Sequence, residues 1–272
     1  MSNTITSLVA IPVPTIAGKT VPIPTSFPTL PTPIGRWQAD YNNPLRITGG
    51  SFATGWNPSV ATSPVASLSA PVNFRPIYST EFNGLYGILF DGANDYFVSS
   101  SSAFMVSPGS TGSMSIVFEC NAIGIKQILF SSSTSIASSG DCFDVGISAS
   151  GNIFVNCIQN SGTEINYAEG AFVCDPNTKY VLILRSTADT KQWTLFMNGA
   201  SDALTYSSIT TRTNKWPTYN LGNQFSLGAK RENSATTVPL SGSIADAAFW
   251  RPMLTDQNVT DLNRMLSDRW IY

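Results

Sequence analysis

Residues 87–99 read GILFDGANDYFVS and residues 113–120 read SMSIVFEC. In the first stretch two short apolar runs, Gly87–Asp91 and Tyr96–Ser99, flank Asp91-Gly92-Ala93-Asn94-Asp95, a cluster of turn formers. Strand, tight turn and strand is the reading that places every apolar residue in an extended segment and every turn former between them. The second stretch is rich in β-branched and aromatic residues, as a strand requires.

The same grammar repeats along the chain. It predicts strands at Gln127–Ser131, Phe143–Ser148, Ile153–Ile158, Lys179–Ser186, Trp193–Met197, Phe225–Gly228 and Gly242–Trp250. Ser150-Gly151-Asn152 and Asn198-Gly199 supply further turns, and the spacing fits an antiparallel β-sandwich. A single helix is expected at the C-terminal end. Thr255 caps it, Asp256 suits its positive N-terminus, and Val259, Leu262 and Leu266 share a face, with Arg264 and Arg269 in its C-terminal half. The serine tracts Ser99–Ser102 and Ser131–Ser139 read as solvated loops at the ends of the sandwich.

Composition removes several chemistries. The 272 residues include 15 Lys+Arg, 17 Asp+Glu and no histidine, a formal charge of -2. Without histidine the chain cannot build a Ser-His-Asp or Cys-His nucleophile, a two-His zinc site or a histidine pH switch. So small a net charge provides no basic footprint for a phosphate backbone, so nucleic acid is not an expected partner. No apolar run is long enough for a membrane span. Met1–Ala10 (MSNTITSLVA) lacks the basic start and long apolar core of a secretion signal, which favours synthesis in a cytoplasm. Cys120, Cys142, Cys157 and Cys174 have no CxxC spacing, and three sit in strand-like runs, so they read as buried thiols.

Residues 1–34 differ from the rest. Between Ile11 and Pro33 lie 7 of the chain's 17 prolines, separated by apolar residues. Proline excludes helix and central strand, so this arm is extended. Its apolar content requires a surface to lie against. Ile11, Pro12, Val13, Pro14, Ile16, Val21, Pro22, Ile23, Pro24, Phe27 and Leu30 are the candidate docking residues. Three destinations stand open: another protein or a second copy, the groove of a domain that reads Pro28-Thr29-Leu30-Pro31, or an edge strand of the chain's own sandwich.

Four segments carry a family resemblance in the expected order. They are Gly35-Arg36-Trp37-Gln38-Ala39-Asp40; Arg75-Pro76 through Asn83-Gly84 to Phe90-Asp91-Gly92-Ala93-Asn94-Asp95-Tyr96-Phe97; Leu195-Phe196-Met197-Asn198-Gly199; and Phe225-Ser226-Leu227-Gly228 with Leu240 to Asp246 and Leu254-Thr255, closing at Arg269-Trp270. Over residues 35–272 the chain resembles the concanavalin A-like lectin/glucanase superfamily, in the laminin-G-like branch found in bacterial surface and phage structural proteins. The resemblance implies an all-β jelly-roll sandwich with a short C-terminal helix, preceded by the extended arm. Hydrolases of this kind place two glutamates around an aspartate on one strand. Glu81, Glu119, Glu164, Glu169 and Glu232 show no such spacing, the closest pair flanking the loop-like INYA, so no catalytic residues and no cofactor are expected.

Calcium is a further implication of the resemblance, with Asp91 and Asp95 as the candidate ligands. The competing reading makes them turn residues that bond local amides. A sugar site needs an exposed ring, and Trp216 and Tyr219, in the polar TRTNKWPTYN, are the candidates; Trp37, Trp193, Trp250 and Trp270 fit core positions. Three functions follow in order. The first is a non-enzymatic virion protein (phage capsid decoration, head fibre or tail), assembled in a host cytoplasm and anchored by its arm to other virion proteins or its own oligomer. The second is a carbohydrate- or receptor-binding adhesin, and the third a glycoside hydrolase.

Overall fold

A computed structural model describes residues 30–39, 45–48, 52–61, 67–99, 111–133, 141–159, 164–187, 192–209, 216–217, 224–232 and 235–272. The order begins with β1 Gly35–Gln38, β2 Leu45–Thr48, β3 Phe52–Trp56, β4 Val60–Ala61, β5 Leu68–Ser69, β6 Ile77–Phe82, β7 Leu85–Asp91 and β8 Phe97–Ser99. There follow β9 Ser113–Cys120, β10 Gln127–Ser133, β11 Cys142–Ile147, β12 Asn152–Gln159, β13 Glu164–Val173, β14 Thr178–Ser186, β15 Trp193–Met197 and β16 Ala200–Asp202. The last elements are β17 Leu204–Ile209, β18 Gln224–Leu227, β19 Lys230–Glu232, β20 Ala235–Thr237, β21 Ser241–Trp250 and α1 Asp256–Trp270. This helix is not long and apolar enough to cross a membrane.

The predicted strands appear within a few residues of their expected ends, and all pairings are antiparallel. Two expectations are corrected. The segment around INYA is no loop but part of the ten-residue β13. Ser131–Ser133 belong to β10 and are buried, and Ser99 lies buried in β8. In β13 polar side chains alternate with core residues, and in β10 three consecutive serines are held by pairing with β11 and β18; loop composition imitates both patterns.

The ladder has two layers. In the first, one edge of β21 runs along β9, while the other edge is shared between β7 at Ser241–Ile244 and β1 at Asp246–Phe249. β14, β15 and β16 continue beyond β9, with Asn198 (φ 50) and Gly199 (φ 83) making the two-residue turn read from the sequence. In the second layer β18 lies between β8 and β10, and β11, β12, β13 and β17 follow. The layers are joined along one side by pairing from β7 through β6, β3 and β5 to β8. Among the described residues nineteen strands therefore form one continuous ladder that nearly closes on itself, instead of two separate sheets. Closure satisfies backbone groups that open sheet edges would leave bare.

Aromatic rings fill the space between the layers. Trp37 stacks on Phe225 at 5.3 Å, and Phe249 meets Phe130 at 5.1 Å and Phe225 at 5.4 Å. Trp37, Trp193, Trp250 and Trp270 are all buried, as expected. The first layer is apolar on both sides: Ile116, Phe118, Leu182 and Leu184 face the central core, while Val117, Val181 and Ile183 face outward. Helix α1 covers that outer face with Val259, Leu262, Leu266 and Trp270. Thr255 and Asn258 form a capping box at its start.

The described end of the N-terminal arm lies on this same seam. Leu30 packs against the outer cluster, the Trp250 indole N–H donates to the Pro31 carbonyl at 2.8 Å, and the Ile34 amide donates to Phe249 at 2.8 Å. Leu30 is thus docked on the chain's own domain. The other arm candidates, Ile11, Pro12, Val13, Pro14, Ile16, Val21, Pro22, Ile23, Pro24 and Phe27, lie outside the described residues.

Asp246 sits where β1, β21 and α1 meet. A bulge between Ile244 and Asp246 sets it on the outer face, opposite Val117. The Arg36 guanidinium donates to its carboxylate at 2.7 and 3.1 Å, the Gln38 amide at 3.1 Å and the Trp270 indole at 3.3 Å. Removing the carboxylate leaves a mostly buried guanidinium without its counter-charge. Asp246→Ala is expected to cost about 3–5 kcal/mol, read as a melting temperature lower by roughly 10 °C; a variant that melts with the parent refutes the role.

Candidate functional site

The two layers differ on their outer faces. In the second layer Phe143, Val145, Val155, Cys157, Ala168 and Phe225 point to the core, so the residues between them point away. Ser226, Ser131, Asp144, Asn156 and Tyr167 stand directly opposite one another on β18, β10, β11, β12 and β13. At about 4.8 Å per strand this row of hydrogen-bonding side chains is about 19 Å long.

One end of the row is covered. Ser131 donates to Asp144 at 2.6 Å, and the Lys230 ammonium at the start of β19 approaches the other Asp144 oxygen at 3.3 Å. The Ser226 hydroxyl donates to the Ala229 carbonyl at 2.6 Å. Ser226, Ser131 and Asp144 are consequently buried. The other end is open: Asn156, Tyr167 and Glu169 are half-buried and Lys126 is exposed. The Tyr167 phenol donates to Glu169. Burial, then that hydrogen bond and the Glu169 charge, raise the phenol above its ordinary value, so it stays a donor. Tyr167 stacks with Phe154 at 5.8 Å, and the Lys126 ammonium lies 4.4 Å over the Phe154 ring. This end combines a ring, an amide and a carboxylate on β12 and β13 with an ammonium from the loop before β10, groups able to hydrogen-bond to hydroxyls. The sequence reading missed it because each strand contributes one residue, and the only local signal is the polar half of each alternation.

The sequence-derived candidates fare differently. Trp216 is a correction: it is 1% exposed and packs on Phe143 at 4.9 Å. Its indole lies against Gly112, where a Cβ would come within 2.1 Å of the ring, so it offers no platform to solvent. Tyr219 lies outside the described residues. Asp91 behaves as a turn residue, its Oδ1 accepting from the amides of Ala93 at 2.8 Å, Asn94 at 3.1 Å and Asp95 at 3.3 Å. Burial pushes its carboxyl up, but those amides outweigh burial and hold it below the ordinary value. Asp95 accepts from the Asp91 amide at 3.1 Å and is raised to about 6 by burial and then by the Asp91 charge. These oxygens serve the turn, and among the described residues no three His, Cys, Asp or Glu side chains gather as a cation site.

All four cysteines are buried thiols. Burial, followed by the Asp144 charge, raises Cys142 well above the usual thiol range, and burial pushes Cys174 up to about 12. Neither is a thiolate at neutral pH.

No family model matches the chain, and no curated protein does. Solved structures do. The CBM40 domain of Ruminococcus gnavus IT-sialidase, bound to α2,3-sialyllactose, superposes with a TM-score of 0.55 at 16% identity, over 65% of this chain and 96% of that one. The leech intramolecular trans-sialidase gives 0.51 at 19% identity over 64% of this chain, and Trypanosoma rangeli sialidase 0.54 at 10% over 93%. The matched region is 26% of the leech enzyme and 35% of the trypanosomal one. At these identities the likeness establishes a shared all-β fold.

Two outcomes check this geometry. A folded-state pKa above the unfolded value stabilises the protein below pH 4, and that stability is lost as pH rises through about 6. Asp95→Asn keeps an acceptor for the Asp91 amide, so at pH 7.5 it should be more stable than the parent by about 1–2 kcal/mol after allowance for solvent screening, read as a higher melting temperature, and the gap should close at pH 4. A thiol reagent added to the native protein should label none of the four cysteines until denaturant is added; rapid native labelling at Cys142 or Cys174 contradicts the burial described.

Proposed function

We propose that the chain is a carbohydrate-binding module of jelly-roll type, with residues 35–272 as the binding domain and the arm as an appendage. The observation that carries this reading is the polar row across five strands of the second layer, open at Asn156, Tyr167 and Glu169. The likeness to the CBM40 domain supports it, because this chain covers nearly all of that domain's length. Sialylated glycans, named with that domain, are the first ligands to test, and the exposed Lys126 beside the open end suits an acidic sugar.

Binding without hydrolysis is part of the proposal. Asp144 and Glu169 stand two strands and two residues apart in register. Strand spacing and rise put their backbones about 12 Å apart. Glycosidases need both carboxylates free to reach the scissile bond, one as acid and one as base or nucleophile. Asp144 is already engaged by Lys230 and Ser131.

The virion role, ranked first from the sequence, now ranks behind glycan binding. None of the structures compared above is a virion protein. Leu30, part of the arm on which that role depended, is seated on the chain's own domain.

Glycan-array binding of the full chain tests the reading. Asn156→Ala and Glu169→Gln, both half-buried outward positions, should melt within a few degrees of the parent and lose binding by about tenfold or more. Parent protein that binds no glycan, or variants that bind as the parent does, would falsify it.

A further inference from the structure

A second depression lies outside the polar row, at the rim where β3, β6 and β7 meet. It is an open hollow of about 350 Å³ lined by Phe52, Val72, Asn73, Arg75, Ile77, Asp91, Asn94 and Asp95. Its lining has two chemically distinct sides. Phe52, Val72 and Ile77 are large apolar side chains exposed to 45%, 71% and 37%. Gathered around one hollow they make an apolar wall, which scattered surface residues do not. The remaining lining residues carry amides, carboxylates and one guanidinium.

Both sides are rigid. Phe52 pairs with Ile77, which pairs with Leu89, and the Ala53 amide donates to the Pro76 carbonyl at 2.9 Å. The polar side stands on the Asp91 turn with its three amide bonds, braced by Phe74 against Tyr96 at 5.5 Å. Its volume is at the lower end of the range of small-ligand sites and its mouth is open, so at most a single small unit fits it.

The chemistry selects the ligand. Two carboxylates against one guanidinium leave the lining net negative, which disfavours a phosphate or another anionic ligand. An apolar wall beside several hydrogen-bonding groups suits a molecule with one C–H face and a rim of hydroxyls. We propose that this rim cleft is a second saccharide site, taking a single neutral sugar unit with its apolar face on Phe52 and its hydroxyls toward Asn73 and Asn94. It lies on other strands than the polar row and stands whether or not that row binds glycan.

The test is a protein-observed NMR titration of the full chain with the methyl glycosides of galactose, glucose, N-acetylglucosamine and N-acetylneuraminic acid. A neutral glycoside should shift the Ala93 and Asn94 amides saturably. Phe52→Ala, at an exposed position, should weaken that response about tenfold, while Asn156→Ala leaves it unchanged. Shifts confined to the neighbourhood of Asn156 and Tyr167 overturn the cleft and leave the proposed glycan face standing. Shifts at Ala93 and Asn94 alone uphold the cleft and count against that face. An Ala93 and Asn94 response that only the anionic glycoside produces, or that survives Phe52→Ala, overturns the assignment.

Discussion

A carboxylate removed from water must be met by donors, and Asp246 on β21 is met by donors from both ends of the described chain. Arg36 and Gln38 belong to the first strand described, Asp246 to the last, and Trp270 to the end of the helix. The bulge at Ala245 and Asp246 makes this possible by breaking the strict alternation of β21. Without that break, either the carboxylate would face the aromatic core or Ala247 and Phe249 would leave it. Register, helix position and the entry of the N-terminal segment are thus tied to one charged group. Hydrophobic burial, which holds the layers together, is indifferent to sliding by two residues; the hydrogen bonds at Asp246 are not.

The two layers then divide the work. The first is apolar on both faces and spends its outer face on α1, so little of it is left for a ligand. The second faces outward with serine, asparagine, aspartate and tyrosine, anchored to the same core by the residues between them. Covering one end of its polar row with Lys230 removes a buried negative charge that would otherwise repel acidic ligands. The uncovered end keeps its aromatic and amide groups at half exposure, where a ligand can displace water from them.

Much of this was legible in the sequence, and the failures share one cause. Strands whose core residues are large, such as Ser113–Cys120 and Trp193–Met197, were readable to the residue. So was the helix, because Thr255 and the Val259, Leu262, Leu266 stripe are local signals. β13 escaped because EINYAEGAFV offers few large apolar residues to the core, and Ala168 is easily passed over. Trp216 misled in the opposite direction: its neighbours are polar and proline-bearing, but its partner is Gly112, distant in sequence and lacking a side chain where the indole lies. The polar row was invisible for the same reason, since it exists only when five strands are placed side by side. The Asp91 turn was readable as a turn, because an Asx turn is a short-range object.

The row across the second layer also has an evolutionary meaning. In a strand, the side chain that could touch a ligand is always followed by one that holds the core, so recognition and stability occupy alternate letters of the same segment. Asn156 can change while Val155 and Cys157 stay fixed, and likewise Tyr167 beside Ala168. A surface built this way can change its outward chemistry one strand at a time while the inward letters keep the core.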